Sequence, residues 1–208
     1  MIDREVATYA IAKELGMNHL PETNIKDING TFGSISENLI EKHKGDDINQ
    51  ISKYELTTGD AAFEAIAKTD KEAGDKALFD FIIGNADRHG GNFLHKIKKD
   101  GNSEMLAFDH GFTFPSSNSI YQFMDYHNQE KFDNAMKNVK FTDQMVDNIK
   151  KFINGDSFNN IVSLIETNIG KKESDAFKER ILLIKNKIIS GTARTTKDVG
   201  YRKEKFMT

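Results

Sequence analysis

The 208-residue sequence has no cysteine, no tryptophan, only two prolines, and a net charge of just −3. The lack of cysteine excludes disulfides and thiolate metal sites. The lack of tryptophan leaves aromatic packing to fifteen phenylalanines and five tyrosines. With 29 Lys and Arg against 32 Asp and Glu, there is no global basic field, so neither nucleic acid nor an anionic membrane is an expected partner. Long apolar runs are also missing. Residues 181–184 are typical of the longest, far below the ~20 needed to span a bilayer, so no transmembrane segment is expected. The first residues, Ile2-Asp3-Arg4-Glu5, are charged where a secretory signal would be apolar, which points to a cytoplasmic protein.

What is present is a modest apolar share of 38% in a chain long enough for one domain or two small lobes. Residues 3–16 read as a helix with an apolar band (Val6, Ala7, Ala10, Ile11) and Gly16 at the C-cap position. Residues 23–28 and 31–40 flank Asn29-Gly30, a two-residue hairpin signal, and residues 41–58 read as a polar connector. Asp60 is placed to cap a helix through about residue 71, and Asp75 to cap a second bearing Leu78, Phe81 and Ile82. That helix runs into a polar loop, residues 85–92. Strands at 93–97 and 104–108 come next, joined through Asp100-Gly101. The remainder reads as helices: one around Phe132–Val139, one capped by Thr142, one opened by Asp156 or Ser157, and one ending at Gly191. Residues 192–208 carry five Lys or Arg against two acids and read as a flexible basic tail. The pattern predicts an α+β fold.

Phosphoryl transfer asks little of a protein: a carboxylate at the attacking hydroxyl, oxygen ligands for a metal, and positioning of the phosphates. Asp87 and Asn92 have the D-x-x-x-x-N spacing with which kinases pair a catalytic Asp and a metal-binding Asn. A hairpin then intervenes before Asp109-His110-Gly111, and such a hairpin folds Asp109 back beside Asn92. Both supply hard oxygen donors, the kind Mg²⁺ prefers.

The string Gly84-Asn85-Ala86-Asp87-Arg88-His89-Gly90-Gly91-Asn92-Phe93-Leu94 resembles the D-R-H-x-x-N loop of phosphatidylinositol 3-/4-kinases and their bacterial relatives. Phe108-Asp109-His110-Gly111 resembles the same family's D-x-G metal motif. More distant look-alikes are the HipA-type kinases and the secretory-pathway kinases. Upstream, Arg4–Ala7, Leu15-Gly16 and Leu20-Pro21-Glu22-Thr23 are similar to bacterial members, so the resemblance covers roughly residues 3–115. It implies a two-lobed, protein-kinase-like fold, with a partial N-lobe (helix plus hairpin, residues 1–40) and a helical C-lobe at 41–191. ATP and Mg²⁺ are the implied cofactors. By position, Asp87 would orient or deprotonate the acceptor hydroxyl, and His89 would meet the γ-phosphate or share acid–base work. Asn92 and Asp109 would hold Mg²⁺, Glu5 would pair with a nucleotide-binding lysine, and residues 34–38 would form the hinge. Arg88 would brace the loop.

The resemblance also implies a phosphate loop and a lysine on strands before the Glu5 helix, yet only four residues precede Glu5. Lys13 and Lys26 are loose internal substitutes. The expectation is that an upstream segment or another chain completes the lobe, or that the fold is a degenerate kinase. Three functions are therefore open. The leading one is phosphotransfer to a hydroxyl, on protein rather than inositol lipid, with Ser116, Ser117, Ser119 and Tyr121 as autophosphorylation candidates. The second is a pseudokinase or scaffold. The third is a metal-dependent hydrolase using His89, His95 and His110 with nearby Asp.

Overall fold

The computed structural model describes residues 2–44, 47–50, 56–116 and 126–200. The chain opens with helix α1 (Ile2–Glu14), followed by the antiparallel hairpin β1 (Thr23–Ile28) and β2 (Thr31–Ser36). Asn29 and Gly30 both have positive φ, 56° and 82°, as a type I′ turn requires, and Asp27 Oδ1 accepts from Gly30 N at 2.7 Å. The second strand stops at Ser36. Asn38 then takes over residues expected to continue it, because its Oδ1 accepts from the amides of Ile40 and Glu41 and caps the short helix α2 (Leu39–Lys42).

The expected connector instead contributes strand β3 (Asp47–Gln50), antiparallel to β4 (Phe93–Ile97), which pairs with β5 (Ser103–Ala107). Its D-I-N-Q sequence carries no alternation, so only pairing with a neighbouring strand reveals it. Helix α3 (Leu56–Thr69) begins ahead of Asp60, which therefore lies inside the helix and not at its cap. The same holds one helix later. Helix α4 (Ala73–Ile83) has Glu72 at its N-cap position without a side-chain cap, and Asp75 lies in its first turn with both carboxylate oxygens on Thr142, at 2.8 Å from its amide and 2.6 Å from its hydroxyl. Thr142 itself caps α6 (Asp143–Asn154) as expected. Helices α5 (Tyr126–Met136), α7 (Asp156–Asn168) and α8 (Lys171–Ile184) complete the body, and α8 continues through a π-helical turn at Lys185–Ile189.

Every residue of α4 is buried, because it lies between two cores. Leu78, Phe79, Ile82 and Ile83 join one core with α1 (Ile11, Leu15), α6 (Ile149, Phe152), α7 (Ile165) and α8 (Phe177, Ile181). Ala73 and Ala77 join the other, with Phe63 of α3, Phe93 and Met105 of the sheet, and Phe132 of α5. A smaller cluster of Leu39, Leu94 and Leu106 packs against Phe108. Two of the buried charges on α4 are ion-paired, and Asp75 is satisfied by Thr142. Lys76 meets Asp70 at 2.6 Å, and Asp80 meets Arg88 at 3.0 Å.

Residues 192–200 are not part of a free tail. Ala193 and Val199 enter the core, Lys140 bridges Thr195, and α9 (Thr196–Gly200) lies against the end of α5, with Lys197 N donating to Lys137 O at 3.1 Å. Two apolar residues in an otherwise polar stretch suffice to dock it. Residues 201–208 lie outside the described residues.

Candidate active site

Helix α4 ends at Gly84, left-handed at φ 66°, where a Cβ would come within 2.7 Å of Pro115 Cδ. The chain thereby turns sharply into the loop, where Asn85 Oδ1 accepts from Asp87 N at 3.1 Å. Arg88 organises the rest of the loop. Its side chain is fully buried; Nε and Nη2 each donate to one oxygen of Asp80 at 3.0 Å, and Nη1 donates to the carbonyls of Asn92 at 2.7 Å and Phe108 at 3.2 Å. Nη2 also donates to His110 Nε2 at 2.9 Å, while its amide donates to Gln129 Oε1 of α5 at 2.6 Å. One guanidinium thus ties both motif segments to α4, which is the bracing role expected of it. Burial works against the charge of Asp80, but the opposing charge and hydrogen bonds of Arg88 outweigh it and hold its pKa below the usual carboxylate value.

Asn92 turns its Nδ2 toward Asp87, donating to the backbone carbonyl at 2.8 Å and to Oδ2 at 3.3 Å. Both partners are acceptors, so the amide orientation is fixed, with Nδ2 toward Asp87 and Oδ1 as the acceptor on the other side. Phe108 N donates to Asn92 O at 3.1 Å, which brings Asp109 beside Asn92 as the hairpin required. Asp109 is exposed and has φ 55°, unusual for a residue with a Cβ. His89 Nδ1 accepts from Gly91 N at 2.9 Å, so in the neutral ring the hydrogen sits on Nε2, 3.5 Å from Asp87 Oδ1.

A cleft of about 400 Å³ opens beside Asp109, lined by Ser36–Leu39, Leu94 and Phe108, and by Glu5. Glu5 is therefore brought to the site, and the partner it meets among the described residues is His110. His110 N donates to Glu5 Oε1, and His110 Nδ1 lies 3.6 Å from Oε2. Among the described residues lining the cleft are Glu5, Glu37 and Asp109 but no lysine or arginine. Lys13 is exposed in the last turn of α1. Lys26 pairs with Gly33 across the hairpin, so it lies on the face opposite Ser34 and Ser36, which line the cleft.

Asn92 and Asp109 fit a Mg²⁺ site of the kind completed by phosphate and water: hard oxygens, adjacent through the Phe108–Asn92 hydrogen bond, one of them open to the cleft. Among the described residues no group of three His, Cys, Asp or Glu could hold a metal without such help. The three histidines of the hydrolase alternative have separate partners. His89 faces Asp87, His110 lies between Arg88 and Glu5, and His95 bonds Ser103 Oγ at 2.8 Å.

Two buried residues escaped sequence reading. His19 is packed edge-on to Phe79 at 5.9 Å, and its imidazole pKa lies well below 6.5, through burial first and then the charges of Lys76, Arg88 and His110. Gln129 joins Arg88 to α5. Neither has a local pattern; only the assembled loop shows them.

No described helix is long and apolar enough to cross a membrane. No curated protein matches the chain significantly. A crystal structure of a Helicobacter pylori proinflammatory kinase, CtkA, is similar over 91% of this chain and 81% of its own, at 14% identity and a TM-score of 0.45. The family model described as phosphatidylinositol 3- and 4-kinase matches residues 75–167, a little under half of the chain. That match runs from within α4 through the Asp87–Asn92 loop and Asp109 into α7, so the segment that bears the candidate chemistry is the part of this chain that is similar to phosphatidylinositol 3- and 4-kinases.

Proposed function

We propose that the chain catalyses ATP- and Mg²⁺-dependent transfer of a phosphoryl group to a protein hydroxyl. The observation that carries this reading is the linkage of Asp87, Asn92 and the Asp109 segment by the Asn92–Asp87 and Phe108–Asn92 hydrogen bonds, with Asp109 lining the cleft. Asp87 accepts the proton of, or orients, the attacking hydroxyl; Asn92 Nδ2 steadies its carboxylate, and His89 Nε2 lies 3.5 Å from it. Asn92 Oδ1 and the Asp109 carboxylate would hold Mg²⁺. When bound, the metal supplies charge neutralisation on the transferring phosphates. Leu39, Leu94 and Phe108 offer an apolar slot for the nucleobase.

A protein acceptor is favoured over an inositol lipid because residues 110–130 contain no lysine or arginine, which an anionic headgroup requires. Ser116 is exposed at the start of this segment, and Ser117, Ser119 and Tyr121 lie outside the described residues. The test is transfer of labelled γ-phosphate in parallel to a mixed Ser/Thr/Tyr peptide pool and to phosphoinositide vesicles. Label in peptide or in the chain itself supports the reading; label in lipid alone overturns the acceptor assignment.

The second reading, a pseudokinase, is favoured by one observation: the described cleft lining lacks a cation for the nucleotide phosphates. It requires that the folded chain transfer no label to any acceptor.

A further inference from the structure

The resemblance gives Glu5 the role of holding a lysine, but its surroundings describe a different task. Asp109 adopts a left-handed conformation, φ 55°, which turns the following amide toward α1, and there the His110 N–H donates to Glu5 Oε1. The His110 ring stands behind the same contact. Its Nε2 receives a hydrogen bond from Arg88 at 2.9 Å, and because guanidinium only donates, the ring hydrogen is on Nδ1, 3.6 Å from Glu5 Oε2. Helix α1 is itself fixed. Ala7, Ile11, Ala12 and Leu15 are in the main core, Arg4 donates to the carbonyls of Thr113 and Phe114, and Thr8 meets Thr113 at 3.2 Å. Glu5 thus stands on a helix held in place by core packing and by these hydrogen bonds.

We propose that Glu5 is a positioning residue for Asp109: by accepting the His110 N–H, with the His110 ring strutted against Arg88, it holds the left-handed turn that aims the Asp109 carboxylate into the cleft. The inference rests on Asp109 being a metal ligand for a bound nucleotide. It assigns Glu5 a hydrogen-bond acceptor's role toward the metal site and removes it from direct dealings with the phosphates.

The two roles separate in Glu5→Gln, which keeps an acceptor oxygen and loses the charge. Three quantities are measured in wild type, Glu5→Gln and Glu5→Ala: hydrogen exchange of the His110 amide in the free chain, Mn²⁺ affinity with a saturating non-hydrolysable ATP analogue, and affinity for that analogue in EDTA. Expected are a protected His110 amide and near-wild-type Mn²⁺ affinity in Glu5→Gln. In Glu5→Ala the protection is lost and Mn²⁺ affinity falls about tenfold or more, the size of a lost hydrogen bond to a charged group. Analogue affinity in EDTA stays within about threefold throughout. Equal loss of EDTA affinity in Glu5→Gln and Glu5→Ala would restore the lysine-partner role and overturn the proposal, as would unchanged Mn²⁺ affinity in Glu5→Ala. Should Glu5→Ala not fold, Glu5→Gln decides alone: retained EDTA affinity and a protected amide support the proposal, and a loss of EDTA affinity sinks it. If wild type binds no Mn²⁺ with the analogue, the nucleotide–metal reading falls and takes the proposal with it. A His110 amide that still separates Glu5→Ala from wild type then locates the failure in that reading.

Discussion

Arg88 and Asp80 form a two-pronged ion pair, each carboxylate oxygen 3.0 Å from a different guanidinium nitrogen, and neither side chain touches solvent appreciably. Through Arg88 the pair also carries the Asn92 and Phe108 carbonyls and the His110 ring. It is the fixed point from which the loop and the Asp109 segment are both suspended.

Removing one partner leaves the other charge buried alone. Asp80→Ala should therefore destabilise the chain by about 3–5 kcal/mol. Urea unfolding followed by circular dichroism measures this; a loss under about 1 kcal/mol would show that the pair is not the fixed point described.

Asp87 is not part of the ion pair itself and is held by the side chains of Asn85 and Asn92. Asp87→Asn should fold normally and bind nucleotide as wild type does, while phosphate transfer falls by about 10²–10⁴-fold, the usual worth of general-base catalysis. Full transfer by a folded mutant would remove Asp87 from the chemistry.

Lys13 and Lys26 are both exposed, and neither lines the cleft. Lys13→Met and Lys26→Met should each leave nucleotide affinity within about twofold, since exposed charges away from a ligand are screened. A tenfold loss in either, measured by calorimetry, would identify a lysine that reaches the phosphates.

Acid should weaken the fold. Burial holds the imidazoles of His19, His95 and His110 below their ordinary 6.5, His19 furthest. Below about pH 6.5 the unfolded chain takes up protons that the folded chain refuses, so stability is highest above that pH and declines as pH falls toward the folded-state values. Urea midpoints from pH 7.5 to 5 should fall, and His19→Leu should flatten the decline. A midpoint independent of pH across this range, or a mutant with the wild-type slope, would contradict the assignment.

Much of this fold is legible in the chain because its signals are local. Asn29-Gly30 and Asp100-Gly101 mark turns that need positive φ, Thr142 marks a cap, and the Asp87–Asn92 spacing with Asp109 after it marks a loop and a returning strand. The features that sequence patterns miss are non-local. Asp75 has a side chain suited to capping its own helix but spends both oxygens on Thr142, 67 residues away. Strand β3 exists by pairing with β4, α9 by inserting Val199 into a core built elsewhere, and the Glu5–His110 contact joins residues 105 positions apart. A sequence pattern reports what a residue prefers, and these four features record what distant partners offered.

Asn92 and Asp109 should bind a divalent metal only together with a nucleotide, and on this the proposed chemistry depends most. It is tested most directly by titrating Mg²⁺ and Mn²⁺ calorimetrically into the chain with and without a non-hydrolysable ATP analogue, in wild type and in Asp109→Ala. The expected result is weak metal binding alone, binding at least about tenfold tighter with the analogue, and loss of that gain in Asp109→Ala, because phosphate oxygens complete the metal's shell and the Asp109 carboxylate anchors it. Metal binding that is indifferent to the nucleotide, or tight zinc binding without it that depends on His89 and His110, would contradict it.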